Sequence, residues 1–254
     1  GEAGWLRAEE GALAAAGGDG WRALLPNASV EAASASTQAA AAAAAASPNT
    51  SATARRLRDA GLAKLSASEC SEAHWYFASA LELLMVGSGG LAERDVEVRG
   101  LLGHQGFALV CDEKFREGAA LLEHHIRSEG LTEGTAHLLN ALGFARFRMG
   151  DYERAELAFE AGSRAEPQNP IMWNNLAAVK MMRGRLGEAD GAMYQALDRT
   201  LPGQRGKEAQ WVVGDYHRWM FQSNAVNLAS RASGAKAGMP QVDLWWAERP
   251  AAKK

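Results

Sequence analysis

The sequence predicts an all-α chain built from helix pairs that repeat along its length. Three observations carry that prediction. From residue 54 onward, apolar residues recur at helical spacing in stretches of about 12–18 residues. Short turns such as Met149-Gly150-Asp151 and Arg183-Gly184-Arg185 separate them, as glycine and polar residues do between helices. Strand signals, meaning alternating β-branched and aromatic residues, are almost absent. A spaced set of small and large side chains then returns four times, and such self-similarity is the mark of a repeat architecture.

The totals narrow the functional classes. The 254 residues suffice for one large domain or two small ones. Lys plus Arg number 27 against 30 Asp plus Glu, a formal net charge of -3. That balance disfavours nucleic-acid binding by bulk electrostatics, which needs a basic excess. Cys70 and Cys111 are the only cysteines and form no CxxC, so two reduced, structural thiols are expected and no disulfide framework or zinc cluster is signalled. No apolar run approaches the roughly 18 residues a membrane span needs, and the N-terminus lacks a secretory signal pattern. The expectation is a cytoplasmic protein without a membrane span or a nucleic-acid partner.

Taken in order, residues 1–52 read as an Ala-rich low-complexity extension. The run Ala39–Ala46 favours helix but offers no stripe of large side chains to bury. Residues 54–203 carry the repeat. The small anchors are Gly61, Gly106, Gly143 and Ala177, and twelve residues after each stands Ala73, Gly118, Ala155 or Ala189. Sixteen after each is a large residue, Phe77, Leu122, Phe159 or Met193, and four before each is Leu57, Leu102, Leu139 or Trp173. Nineteen after come Ala80, His125, Gly162 and Ala196, of which only the histidine is large. Two antiparallel helices joined by a tight turn approach closely only where side chains are small, so the anchor and the residue twelve later are expected to face each other. The extra residues between successive anchors are placed in loops around Gly87–Asp95 and Ser128–Glu133. Stacked repeats need a polar end, and residues 204–232 supply a capping helix, with Trp211, Tyr216, Trp219 and Val226 expected on its packed face. Residues 233–254 form a tail that includes Trp245 and Trp246.

The segment "HLLNALGFARFRMGDYERAELAFEAGSRAEP", with its Leu-Gly, Gly-Asp-Tyr, Ala, Phe and Pro in register, resembles the tetratricopeptide repeat (TPR) family. Trp173, Leu176, Gly184 and Leu186 extend the likeness into the fourth repeat. The first repeat departs with Cys70 where Tyr is usual, the second with Gln105 for Leu and His125 for a small residue. The resemblance implies a right-handed superhelix, an α-solenoid of about four helix-turn-helix repeats with a C-terminal capping helix and a concave groove. A narrower likeness joins "NNLAAVKMMRGRL" to the TPR subunit of the TRAPP vesicle-tethering complex.

Catalytic chemistry finds little footing. His124 and His125 are helix neighbours about 100° apart, a poor chelating pair. "GLLGHQG" at 100–106 lies inside a helix with no preceding strand, so it is no phosphate loop. No Ser-His-Asp or Cys-His pairing is suggested by position, and Arg55, Arg56 and Arg58 read as a solvated helix face. The expectation is a non-enzymatic scaffold with no cofactor or metal, a subunit of a multiprotein assembly that binds a protein or peptide partner. A TPR arm of a larger enzyme, or an RNA-binding helical repeat, are the rival classes. By the TPR resemblance the first helix of each pair lines the groove, which selects Phe107, His137, Asn140, Phe144, Phe147, Asn174 and Met181 as partner-binding residues. Asn140 and Asn174, 34 residues apart, are expected to be exposed there and to hold the backbone of an extended peptide. Because Arg58 and Leu62 stand where a Lys-Asn pair would be needed, no clamp for a chaperone carboxylate tail is expected.

Overall fold

The computed structural model describes residues 50–86, 91–130, 135–200 and 215–244. Among them are nine helices and no strand. None of these helices is long and apolar enough to cross a membrane. The chain divides into two compact units, Gly1–Gly130 and Leu131–Lys254. Most of the 1–52 extension, together with Trp211, Trp245 and Trp246, lies outside the described residues.

The N-terminal unit holds α1 (Thr50–Ser66), α2 (Cys70–Val86), α3 (Leu91–Cys111) and α4 (Phe115–Glu129). Each packs on the next, around a core that includes Phe77, Leu81, Leu102, Leu109 and Leu121. The α3 helix starts at Leu91, so residues 91–95, expected in a loop, belong to it. The fragment 100–106 is helical, as expected. Gln105, placed where an aliphatic side chain is usual, is buried and meets His74 with its Nε2 2.6 Å from Nδ1. A partner of matching polarity is what permits a polar group at that depth.

One expectation for this unit is overturned. Cys70 and Cys111 are not free thiols; they form a disulfide, with Cα atoms 5.6 Å apart. Cys70 opens α2 and Cys111 closes α3, and packing these consecutive helices against each other sets the start of one beside the end of the other. The pair is a product of tertiary packing, which a search for closely spaced cysteines does not detect.

The C-terminal unit holds α5 (Ala136–Arg148), α6 (Tyr152–Ala165), α7 (Pro170–Met182), α8 (Leu186–Asp198) and α9 (Asp215–Ala232). Here too each helix packs on its successor, and α9 also touches α7. The local reasons are in the sequence. Gly150 and Gly184 turn the chain with φ of 79° and 74°, a region open to glycine at little cost. Asp151 caps α6 by accepting from the Arg154 N–H. Asn169 caps α7 in the same way from Ile171, with Pro170 at its first turn.

The repeat template appears as contact geometry. A Cβ placed on Gly61 would stand 2.6 Å from Phe77 Cε1, and one on Gly143 would stand 2.6 Å from Phe159 Cε1. One on Gly106 would stand 2.8 Å from Leu122 Cγ. The large residue sixteen positions on therefore lies directly over its own anchor glycine. The residue twelve on is close as well: a Cβ on Gly118 would lie 2.9 Å from the Gly106 carbonyl oxygen. Gly162, nineteen on, faces Met172 of the following helix. Small residues thus mark the close approaches both within pairs and between them.

Charge is buried here too. Lys180 on α7 reaches Glu156 at 2.8 Å, Glu160 at 3.3 Å and Glu188 at 2.7 Å. Arg183 and Arg185 also pair with Glu156, so three cations surround one almost fully buried carboxylate. This cluster ties α6, α7 and the start of α8 together.

The face of α9 differs from expectation. Tyr216, Trp219 and Val226 point to solvent, at 56%, 52% and 65% exposure. The packed face is Met220, Phe221, Asn224 and Leu228, with Met220 and Phe221 against Ile171 and Leu197. Both sets have helical spacing. The packed set won because it also carries Asn224, whose amide has partners in the interior.

Candidate functional site: an asparagine network around the C-terminal segment

Four asparagines, Asn140 on α5, Asn174 and Asn175 on α7, and Asn224 on α9, are completely buried. A primary amide has two N–H donors and one carbonyl acceptor, and burying it without partners is costly. Here the amides satisfy one another in a row. Asn224 donates to Asn174 at 2.9 Å, Asn174 to Asn175 at 3.3 Å, and Asn175 to Asn140 at 2.8 Å.

The remaining hydrogen-bonding capacity is spent on the chain's own C-terminal segment. Gly234, with φ of 74°, ends α9, and the Ala235 N–H bonds back to the Ser230 carbonyl at 2.8 Å. That is the usual way a glycine closes a helix and redirects the chain. The following residues carry no regular secondary structure and run back along α9, antiparallel to it. Asn227 Oδ1 accepts from the Gly238 N–H at 3.1 Å and Arg231 donates to the Gly238 carbonyl at 3.0 Å. Asn224 then takes Gln241 by both backbone groups, donating to its carbonyl at 2.7 Å and accepting from its N–H at 2.8 Å. Asn174 adds a longer bond to the same carbonyl, 3.3 Å.

Two residues further, Asn175 repeats the arrangement. It donates to the Asp243 carbonyl at 2.8 Å and accepts from the Asp243 N–H at 3.0 Å. Asn140 donates to the carbonyls of Asp243 and Leu244, at 3.1 and 2.8 Å. Residues two apart on an extended chain present their backbone groups to the same side, so alternate residues are gripped by successive asparagines. These amides take the place of a neighbouring β-strand. A side-chain pair completes the site: His217 Nε2 lies 2.7 Å from Asp243 Oδ2. Leu244 is buried at 6% exposure.

His217, Asn224 and Arg231 stand seven residues apart along α9 and form the stripe that faces the segment. Seven helical residues rise about 10.5 Å, and three extended residues span about 10 Å. This match lets Gly238 sit at Arg231 while Gln241 sits at Asn224.

The residues expected to line a groove are distributed as follows. Asn140 and Asn174 meet on one bound backbone, but they are buried beneath it instead of exposed. Phe147 is buried and packs edge-on against Tyr152, ring centroids 5.3 Å apart, so it belongs to the α5–α6 core. Met181 is buried as well. Phe144 is half-buried with the Arg148 guanidinium 5.6 Å from its ring centroid. His137 on α5 is half-buried, and Phe107 is buried on α3 of the N-terminal unit. Of the arginines at the start of α1, Arg55 pairs with Glu97 at 3.7 Å and Arg58 with Asp59 at 2.8 Å.

Sequence reasoning missed Asn175, Asn224, His217 and the segment they hold. The seven-residue spacing of His217, Asn224 and Arg231 was a legible signal: polar residues on one helical line, on a helix that must bury that side. No protein-family model matches the chain.

Proposed function

We propose that the protein is a non-enzymatic interaction scaffold of the tetratricopeptide-repeat type, a subunit of a larger assembly, whose C-terminal unit holds an extended peptide by its backbone. The observation that supports this reading is the asparagine network. Its amides pair with N–H and C=O groups at alternate residues of an extended chain, and such groups exist in every peptide. Recognition of this kind resembles the addition of a strand to a sheet, with main-chain bonds giving affinity and side-chain pockets giving selectivity.

The test compares two full-length baits in native extract. One carries Asp243→Pro, which removes an N–H that Asn175 accepts and so loosens the resident segment. The other carries Asn175→Ala in addition. Proteins retained by the first and lost from the second, whose extended peptides then bind the first in calorimetric titration, are the expected result. Identical captured sets with both baits contradict the reading.

A further inference from the structure

Resting on the peptide-holding reading, we infer that the site selects an extended peptide with a carboxylate side chain followed by an aliphatic residue, and that the chain's own Asp243-Leu244 is a displaceable occupant competing with such a peptide from a partner protein. Three observations carry this. The Asp243 carboxylate is the side-chain group of residues 238–244 that forms a polar bond with the helices, through His217 at 2.7 Å, while the bonds at Gly238, Gln241 and Leu244 go to backbone atoms. Selectivity therefore falls on that position. An ionised carboxylate accepts a stronger, shorter bond than a neutral amide does, so His217 favours Asp over Asn. The next residue, Leu244, is buried at 6% exposure, which favours an apolar side chain there.

The segment's attachment explains the competition. It is held by side-chain amides, without a strand ladder or helix of its own, and only residues 235–237 separate the Gly234 turn from its first anchor at Gly238. A tether that short gives the tail an effective concentration in the range of about 1 mM or above. A free peptide with the same contacts is thus outcompeted in the resting protein. Substituting the tail lifts that competition while leaving His217 and the asparagines in place.

The experiment uses full-length protein and a capped peptide Gly-Met-Pro-Gln-Val-Asp-Leu, residues 238–244, labelled for fluorescence anisotropy, beside an analogue with Asn in place of Asp. The Asp peptide is expected to bind Asp243→Pro protein about tenfold or more tighter than unsubstituted protein. It is also expected to bind that protein about fivefold tighter than the Asn analogue, and adding His217→Ala should remove the preference. Equal binding of the two peptides overturns the selectivity and leaves backbone holding intact. Equal affinity for Asp243→Pro and unsubstituted protein overturns the competition. No binding of either peptide to folded Asp243→Pro protein overturns the peptide-holding function itself. Should that variant fail to fold, Asp243→Ala, which removes the carboxylate and keeps the backbone N–H, replaces it in the same titrations: the Asp peptide is expected to bind it more tightly than it binds unsubstituted protein and more tightly than the Asn analogue binds, and equal affinities in both comparisons overturn the inference.

Discussion

Asn175 and Asp243 close a two-bond ring: the amide nitrogen lies 2.8 Å from the Asp243 carbonyl oxygen and the amide oxygen 3.0 Å from its backbone nitrogen. The same side chain donates to Asn140 and accepts from Asn174. Asn175→Ala therefore strands buried groups on three partners. A loss of about 1–3 kcal/mol is expected in the C-terminal unit, read as a lower denaturant midpoint. Asn227→Ala, which removes one bond to the exposed Gly238, is expected to cost clearly less.

The Cys70–Cys111 bond closes a loop with a sequence separation of 41. Cross-linking a loop of that size restricts the unfolded chain and is worth about 2–4 kcal/mol. Thiol titration of unreduced, denatured protein is expected to find no free cysteine. Addition of reductant is expected to lower the melting temperature of the N-terminal unit, and Cys70→Ser to reproduce that shift.

Gly143 has no room for a side chain, because any Cβ would stand 2.6 Å from the Phe159 ring. Phe159 is fully buried and cannot swing aside. Gly143→Leu is expected to destabilise by about 3 kcal/mol or more through overpacking. Leucine at the exposed Glu153 is expected to be nearly neutral by the same urea titration.

Four histidines of the N-terminal unit, His74, His104, His124 and His125, are held below the ordinary histidine pKa, in each case first by burial. A nearby cation adds to this at each: Lys114 near His74, Arg58 near His104, Arg127 near His124 and Arg99 near His125. The folded state thus resists a proton that the unfolded chain accepts near its ordinary value of 6.5. The resulting stability is complete above that pH and falls as the pH drops through it. The N-terminal unit is expected to melt at a lower temperature at about pH 5.5 than at about pH 7.5. His74→Gln is expected to flatten the dependence.

The helix pairs were legible because their determinants are local and periodic: a small anchor, a large residue sixteen on, a Gly-Asp turn. Asn140 and Asn174 could be singled out for the same reason, since equivalent positions in a repeat share a face. Their burial could not be read, because what covers them is a segment distant in sequence with no periodicity of its own. Asn175 escaped because adjacent helical residues point about 100° apart, and only the path of the tail lets both reach it. The packed side of α9 was misassigned because Tyr216, Trp219 and Val226 offer more aromatic surface than the true face, which is interrupted by Asn224. The disulfide follows from how α2 meets α3, a tertiary fact that cysteine spacing does not encode.

Buried asparagines hold residues 241–244 as an extended segment, and native-state amide hydrogen exchange reads that hold residue by residue. The backbone N–H groups of Gln241 and Asp243, which donate to Asn224 and Asn175, are expected to exchange slowly in the unsubstituted protein. In Asn175→Ala protein, Asp243 is expected to lose its protection while the α7 amides keep theirs. Rapid exchange at both Gln241 and Asp243 in the unsubstituted protein would mean that the asparagines do not hold the segment.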